Sequence, residues 1–269
     1  LFSDAASAQT SDELLAAIEA EVVPSDDAVI IYTSGSTALP KAVVHPQSTL
    51  IRKTSVLAGY FRLEPVDRMM PLLPAFWVGG LAMVFMILGK GATLVYPASP
   101  AMDVVMPTLK KFAVNKVNSW GPQHGRTVKA AIAAGIDIEP IWGLGPMRDK
   151  QGRPIPAERV PNMLGMSETF APHSAEPLND RLPEDKRGAS GRPVNGYQRR
   201  VVDPDTGDEV PKGEIGELQL RGGARMTRLY KRERSEVFTP DGFYPTGDLV
   251  RIDADGYLTF VARRGDMIK

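Results

Sequence analysis

AVIIYTSGSTALPKAVVHP, residues 28–46, sets the fold. Its first five residues are a continuous β-prone apolar run, which predicts a buried strand. The next segment, Thr33 to Lys41, is small, hydroxyl-rich and broken by Gly35 and Pro40, which predicts a loop. After Pro46, residues Leu50, Thr54, Leu57 and Phe61 recur at helical spacing, so a helix is expected to pack back on the strand. The unit reads strand, loop, helix.

Working outward, apolar and Ala-rich helical patterns alternate with the short strands ATLVY (92–96) and VNKVNSW (114–120) as far as Gly135. This alternation predicts a mostly parallel sheet with flanking helices. From about Gly188 the texture changes to RRVVD, EIGELQLR and YLTFVAR, separated by DPDTGD, RGG, PDG and DADG turns. Short alternating strands between such turns predict a small antiparallel, β-barrel-like subdomain. Ahead of the first strand, Thr10 and Glu13 have capping-box spacing, and Leu14, Leu15 and Ile18 share a face, so a helix is expected from about Ser11 to Glu21. The expected organisation is a leader helix and linker (1–27), an α/β subdomain (28–187), a small β subdomain (188–262) and a terminal hinge (263–269).

The composition narrows the function. Thirty-two basic and thirty-two acidic residues give no net charge, which argues against a nucleic-acid partner. The chain has no cysteine, so disulfide scaffolds, thiol nucleophiles and Cys-ligated metals are excluded, and a reducing, cytoplasmic setting is expected. The apolar stretch 69–96 is interrupted by Pro71, Pro74, Gly79, Gly80, Gly89, Lys90 and Gly91, so no transmembrane segment is expected. Starting on Leu1, the chain reads as an internal fragment of something longer.

Three segments carry chemistry. TSGSTALPK (33–41) offers hydroxyls, backbone N–H groups and the Lys41 ammonium, a set suited to phosphate oxygens. It does not fit the Walker pattern, and taken alone such a run is more often a solvated loop. GMSET (165–169) sets a hydroxyl beside a carboxylate, as a phosphate with its divalent metal requires. In FYPTGDL (243–249), Asp248 could accept two hydrogen bonds from a ribose diol. Asp203, Asp205, Asp253 and Asp255 are explained by their turns, and His45, His124 and His173 have no zinc-site spacing.

In order and separation these segments resemble the AMP-forming, acyl-adenylating superfamily: acyl- and aryl-CoA synthetases, peptide-synthetase adenylation domains and beetle luciferases. The resemblance runs from Ala28 to Lys269 and includes PAFWVGGL (74–81), NMLGMSET (162–169), the 191–222 block and ARRGDMIK (262–269). It implies a partial acyl-adenylating fold and use of ATP, Mg²⁺ and coenzyme A on a small carboxylic acid, fatty or aryl. It implies that Thr33, Ser34, Gly35, Ser36, Thr37 and Lys41 grip pyrophosphate. Ser167 would meet the α-phosphate and Glu168 the Mg²⁺, these two and Lys41 forming the catalytic set. Leu164 and Gly165 would lie beside the adenine, with Leu164 replacing the usual aromatic, while Asp248 and Arg263 would hold the ribose. Phe76, Trp77, Val78, Gly79, Gly80, Trp120 and Gly121 would line the acid pocket. Ala38 and Ala42 stand where the family usually has glycine, so strain is expected there if the backbone needs positive φ. The resemblance also implies that the catalytic lysine lies in a C-terminal domain beyond this chain, reached by a hinge at Gly265, so the isolated chain is expected to be inactive. Adenylation for a carrier protein and a catalytically silent nucleotide-binding fragment are the alternatives, and the oligomeric state is not legible.

Overall fold

The computed structural model describes residues 10–33, 40–194 and 196–265. Helix α1 (Asp12–Glu21) is capped by Ser11, whose hydroxyl accepts from the Leu14 amide at 3.1 Å, one residue beyond the expected cap. It buries none of its side chains, and Leu14, Leu15 and Ile18 remain exposed.

Strand β1 (Asp27–Thr33) follows, but the chain then forms a second strand, β2 (Lys41–Pro46), paired antiparallel with it before helix α2 (Gln47–Tyr60) begins. The expected loop segment is therefore flanked on both sides by paired strands. Val43 and Val44 are fully buried, and that burial outweighs the turn-forming Pro40 beside them. Strand β11 (Arg228–Leu229) pairs with the other edge of β2. Helix α2 buries Leu50, Thr54 and Leu57, with Phe61 buried just past its end, as its periodicity predicts.

Parallel pairing builds a three-stranded sheet, β4 (Thr93–Leu94), β3 (Arg68–Pro71) and β5 (Lys116–Asn118), with β3 in the middle. Helices α3 (Val78–Gly89), α4 (Met102–Lys111) and α5 (Gly121–Ala133) alternate with these strands. One core joins Ile31, Leu57, Phe61, Met69, Val78, Met86 and Phe170, and a second joins Met70, Val105, Leu109, Val117 and Leu144. The other sheets are antiparallel: β6 (Met163–Met166), β7 (Ala171–Ala175) and β8 (Arg192–Pro193) form one. The last is a four-stranded sheet in the order β13 (Leu258–Arg263), β12 (Tyr244–Ile252), β10 (Ile215–Gly222), β9 (Tyr197–Val202). The expected small antiparallel subdomain is thus present as a sheet open at β9 and β13; four strands are too few to close around side chains. Among the described residues no helix is long and apolar enough to cross a membrane.

Ala42 sits in β2 opposite Tyr32 with negative φ, so the backbone strain expected there is absent. Ala38 lies outside the described residues. Ala42→Gly should therefore lower stability by about 0.5–1 kcal/mol without tightening nucleotide binding. Denaturant unfolding and ATP calorimetry of the two proteins check this, and tighter binding would contradict it.

Candidate functional site

Strands β6 and β7 are joined by a single 3₁₀ turn, Ser167–Thr169. Gly165 permits this approach, because a Cβ there would lie 2.6 Å from the backbone of Ala171 and Pro172. The turn is followed by two left-handed residues, Phe170 at φ 47° and Ala171 at φ 84°. Backbone of this kind is held by its surroundings. Phe170 is fully buried edge-on to His45, and the Thr169 hydroxyl donates to the Ala171 carbonyl at 2.8 Å.

Each carbonyl of the turn is tied to a different part of the chain. Ser167 O accepts from His45 Nε2 on β2 at 2.7 Å. Glu168 O accepts from the Met226 amide at 2.8 Å. Thr169 O accepts from the Tyr197 hydroxyl on β9 at 3.0 Å. The Glu168 side chain is thereby fixed at 7% exposure, its Oε1 accepting from the Tyr244 hydroxyl at 2.8 Å and standing 4.0 Å from Lys41 Nζ. Burial, with the charge of Glu168 second, pushes the Tyr244 hydroxyl well above the ordinary phenol range, so it remains a donor.

On β12, Tyr244, Thr246 and Asp248 alternate onto one buried face. Asp248 is paired with Arg263 at 2.7 Å, and Arg263 also donates to Thr246 O at 3.3 Å. Burial raises the Asp248 carboxyl, and the Arg263 guanidinium partly opposes it. Lys41, Ser167, Glu168, Asp248 and Arg263 are thus brought together around one turn and one strand. Leu164, half-buried, packs on the cluster of Leu218, Leu220, Val250 and Leu258. Thr33 is half-buried at the end of β1, opposite Lys41. Ser34, Gly35, Ser36 and Thr37 lie outside the described residues. Gly265, at φ 116°, occupies backbone space that other residues avoid.

The aromatic set gathers elsewhere. Trp77 and Trp120 stack with centroids 6.0 Å apart, on segments that follow the C-terminal ends of the adjacent parallel strands β3 and β5. Ligands of open α/β sheets bind at such ends. Phe76 is 88% exposed, and Gly121 takes φ 55°. Gly80 is required by packing, since a Cβ there would meet Pro74 O at 2.1 Å; Gly79 has room. Neither tryptophan touches the 165–169 turn through a hydrogen bond or ring contact among the described residues; the link is Val78, in one core with Phe170. A cavity of about 360 Å³ between Asp149, Arg153, Glu176, Arg181, Arg192 and Tyr257 is remote from this chemistry, and its charges pair with one another.

Tyr244 and Met226 escaped the sequence reading, as did the part His45 plays in holding the turn. Tyr244 was within reach of it, because it stands four residues before Asp248 in a strand and so faces the same way.

The chain has relatives among known proteins. A family profile described as AMP-binding enzyme matches residues 2–137 and 143–230, and the chain belongs to that family. It is 30% identical to sulfoacetate–CoA ligase of Cupriavidus necator, over 91% of this chain and 49% of that protein. It is 28% identical to 2-succinylbenzoate–CoA ligase of Bacillus licheniformis, over 93% of this chain and 52% of that protein. In fold it is similar to O-succinylbenzoate coenzyme A synthetase from Bacillus subtilis, solved in complex with AMP: TM-score 0.73, 23% identity, 91% of this chain and 64% of that one. The chain spans about half the length of the curated relatives it matches.

Burial holds His45 at about 4 and His173 at about 3, so both are neutral in the folded protein where the unfolded chain protonates them near 6.5. As the pH falls from 6.5 toward 5 the unfolded state therefore comes to bind up to two more protons than the folded one, and stability must fall on acidification. The slope should approach about 2.7 kcal/mol per pH unit. Urea unfolding at pH 7, 6 and 5 measures it, His173→Gln should roughly halve it, and a flat profile would refute both buried neutral histidines.

Proposed function

We propose that the protein to which this chain belongs activates a small carboxylic acid with ATP and passes the acyl group to coenzyme A. A carboxylate oxygen attacks the α-phosphorus and pyrophosphate leaves, giving the acyl-adenylate. The thiol sulfur of coenzyme A then attacks the acyl carbon, its proton is lost, and AMP leaves. The observation that carries this reading is the buried Glu168 carboxylate within 4.0 Å of Lys41 and on the same side as the Asp248–Arg263 pair.

The residues divide the work by chemistry. Asp248, a buried acceptor aligned by Arg263, suits a ribose diol. Ser167 suits the α-phosphate, and Lys41 with Thr33 and the Ser34–Thr37 segment suits the pyrophosphate. Leu164 and Gly165 would border the adenine, with apolar contact where an aromatic would stack. Among the described residues no three His, Cys, Asp or Glu side chains gather to hold a metal alone. A single carboxylate fits Mg²⁺, which takes one or two carboxylates and completes its shell with substrate phosphates and water. Glu168 would hold it, and it would supply positive charge against the phosphate oxygens. Rate enhancement then comes from positioning and charge neutralisation. The stacked Trp77 and Trp120, with Phe76, Val78, Gly79, Gly80 and Gly121, would receive the acid, and they offer no carboxylate to hold an amino group.

Pyrophosphate–ATP exchange driven by a panel of aliphatic, aryl and sulfonated acids tests the reading in the full-length protein. Glu168→Gln should reduce exchange by about a hundredfold or more with little change in the acid's KM, because the charge acts on the transition state. Absence of exchange with every acid would leave a nucleotide-binding protein without ligase chemistry.

A further inference from the structure

Lys53, in the middle of α2, is 1% exposed and among the largest fully buried side chains. Among the described residues it has no carboxylate partner. Its Nζ donates to the Tyr197 hydroxyl at 3.2 Å and stands 4.3 Å from the centre of that ring. The other ionisable groups around it are His45 on β2 and His173 on β7, both kept neutral, with Arg199 beside His173 and Arg225 beside Tyr197. Burial lowers Lys53 to about 7, so below that pH it is a buried ammonium without a counter-ion among the described residues, a costly arrangement that calls for a function.

An ammonium has three protons and no lone pair, so the Tyr197 oxygen can only accept from it. The hydroxyl's own proton is thereby turned toward two carbonyls, Thr169 O at 3.0 Å and Ala224 O. Thr169 follows Glu168 directly. Ala224 lies two residues before Met226, whose amide holds the Glu168 carbonyl. One hydroxyl thus ties together both segments that cradle Glu168.

We propose that Lys53 is a positioning residue: through Tyr197 it fixes the tie between the Ser167–Thr169 turn and the 224–226 segment, and so sets the Glu168 carboxylate for the cation that accompanies ATP. The proposal rests on the nucleotide-binding reading of that turn. A neutral side chain at position 53 leaves the Tyr197 hydroxyl free to turn, while relieving the cost of the buried charge. Stability and site order should therefore move in opposite directions, which an ordinary core residue would not produce.

The test compares the full-length protein with Lys53→Met, Tyr197→Phe and the double variant, by thermal unfolding at pH 6, amide exchange without nucleotide, and calorimetry with ATP and Mg²⁺. Lys53→Met should unfold at a higher temperature, yet exchange the Phe170 and Met226 amides about tenfold faster and bind ATP with Mg²⁺ about tenfold more weakly. The double variant should be no worse than Tyr197→Phe alone, since Lys53 acts through that hydroxyl. Tyr197→Phe carries the same exchange test if Lys53→Met does not fold. Unchanged exchange at both amides, or a lower melting temperature with faster exchange throughout the core, would overturn the proposal. Exchange that responds as expected in a wild-type protein that binds no ATP would overturn the nucleotide reading, and with it the purpose assigned to the tie.

Discussion

Three consecutive carbonyl oxygens, those of Ser167, Glu168 and Thr169, each accept a hydrogen bond from a separate part of the chain. Within the turn, among the described residues, only the Ser167 carbonyl finds a backbone partner, the Phe170 amide at 3.1 Å, and a buried carbonyl without a partner is costly. The surrounding structure is arranged to meet that need. Strand β2 brings His45, the segment after β10 brings the Met226 amide, and β9 brings Tyr197. The hairpin, the small sheet and the β6–β7 pair are thereby held in register around one carboxylate.

The same turn also reaches into the main core. Phe170, in left-handed backbone, is fully buried with Ile31, Phe61 and Val78. Its side chain anchors the conformation that its backbone disfavours, and apolar burial of this size outweighs a local strain of about 1–3 kcal/mol. Val78 opens the helix that follows Phe76 and Trp77. Among the described residues a core contact, with no hydrogen bond, therefore relates the aromatic pair to the carboxylate turn.

Much of this was legible in the sequence. The helix of Leu50, Leu57 and Phe61, the alternation up to Gly135 and the late antiparallel strands all follow from periodicity, because each buries one regular face. Residue chemistry singles out Lys41, the GMSET segment and Asp248, the resemblance implies their roles and adds Arg263, and the fold collects them. What escaped depends on contacts far apart in the chain. Strand β2 was hidden because Val43 and Val44 follow a Pro-bearing segment, and local turn chemistry says nothing of the β11 strand nearly two hundred residues later. Lys53 looks like an ordinary exposed helix lysine until Tyr197, 144 residues away, is placed against it. Alanine at position 42 suggested strain only because a glycine was expected there, and the strand removes the need for one.

The hydrogen bond from Tyr244 occupies one oxygen of the Glu168 carboxylate, and the Lys41 ammonium stands nearest that same oxygen. Only Oε2 is then left without a protein partner among the described residues. In the proposed cation site, a carboxylate engaged in this way would offer its free oxygen, Oε2, first. Calcium readily accepts bidentate carboxylates in a wide and irregular shell, whereas magnesium demands short, single-oxygen contacts in an octahedron. If Glu168 holds the proposed cation, the phenol that orients its side chain would thus also favour the smaller, more strongly hydrated ion at no further cost in ligands.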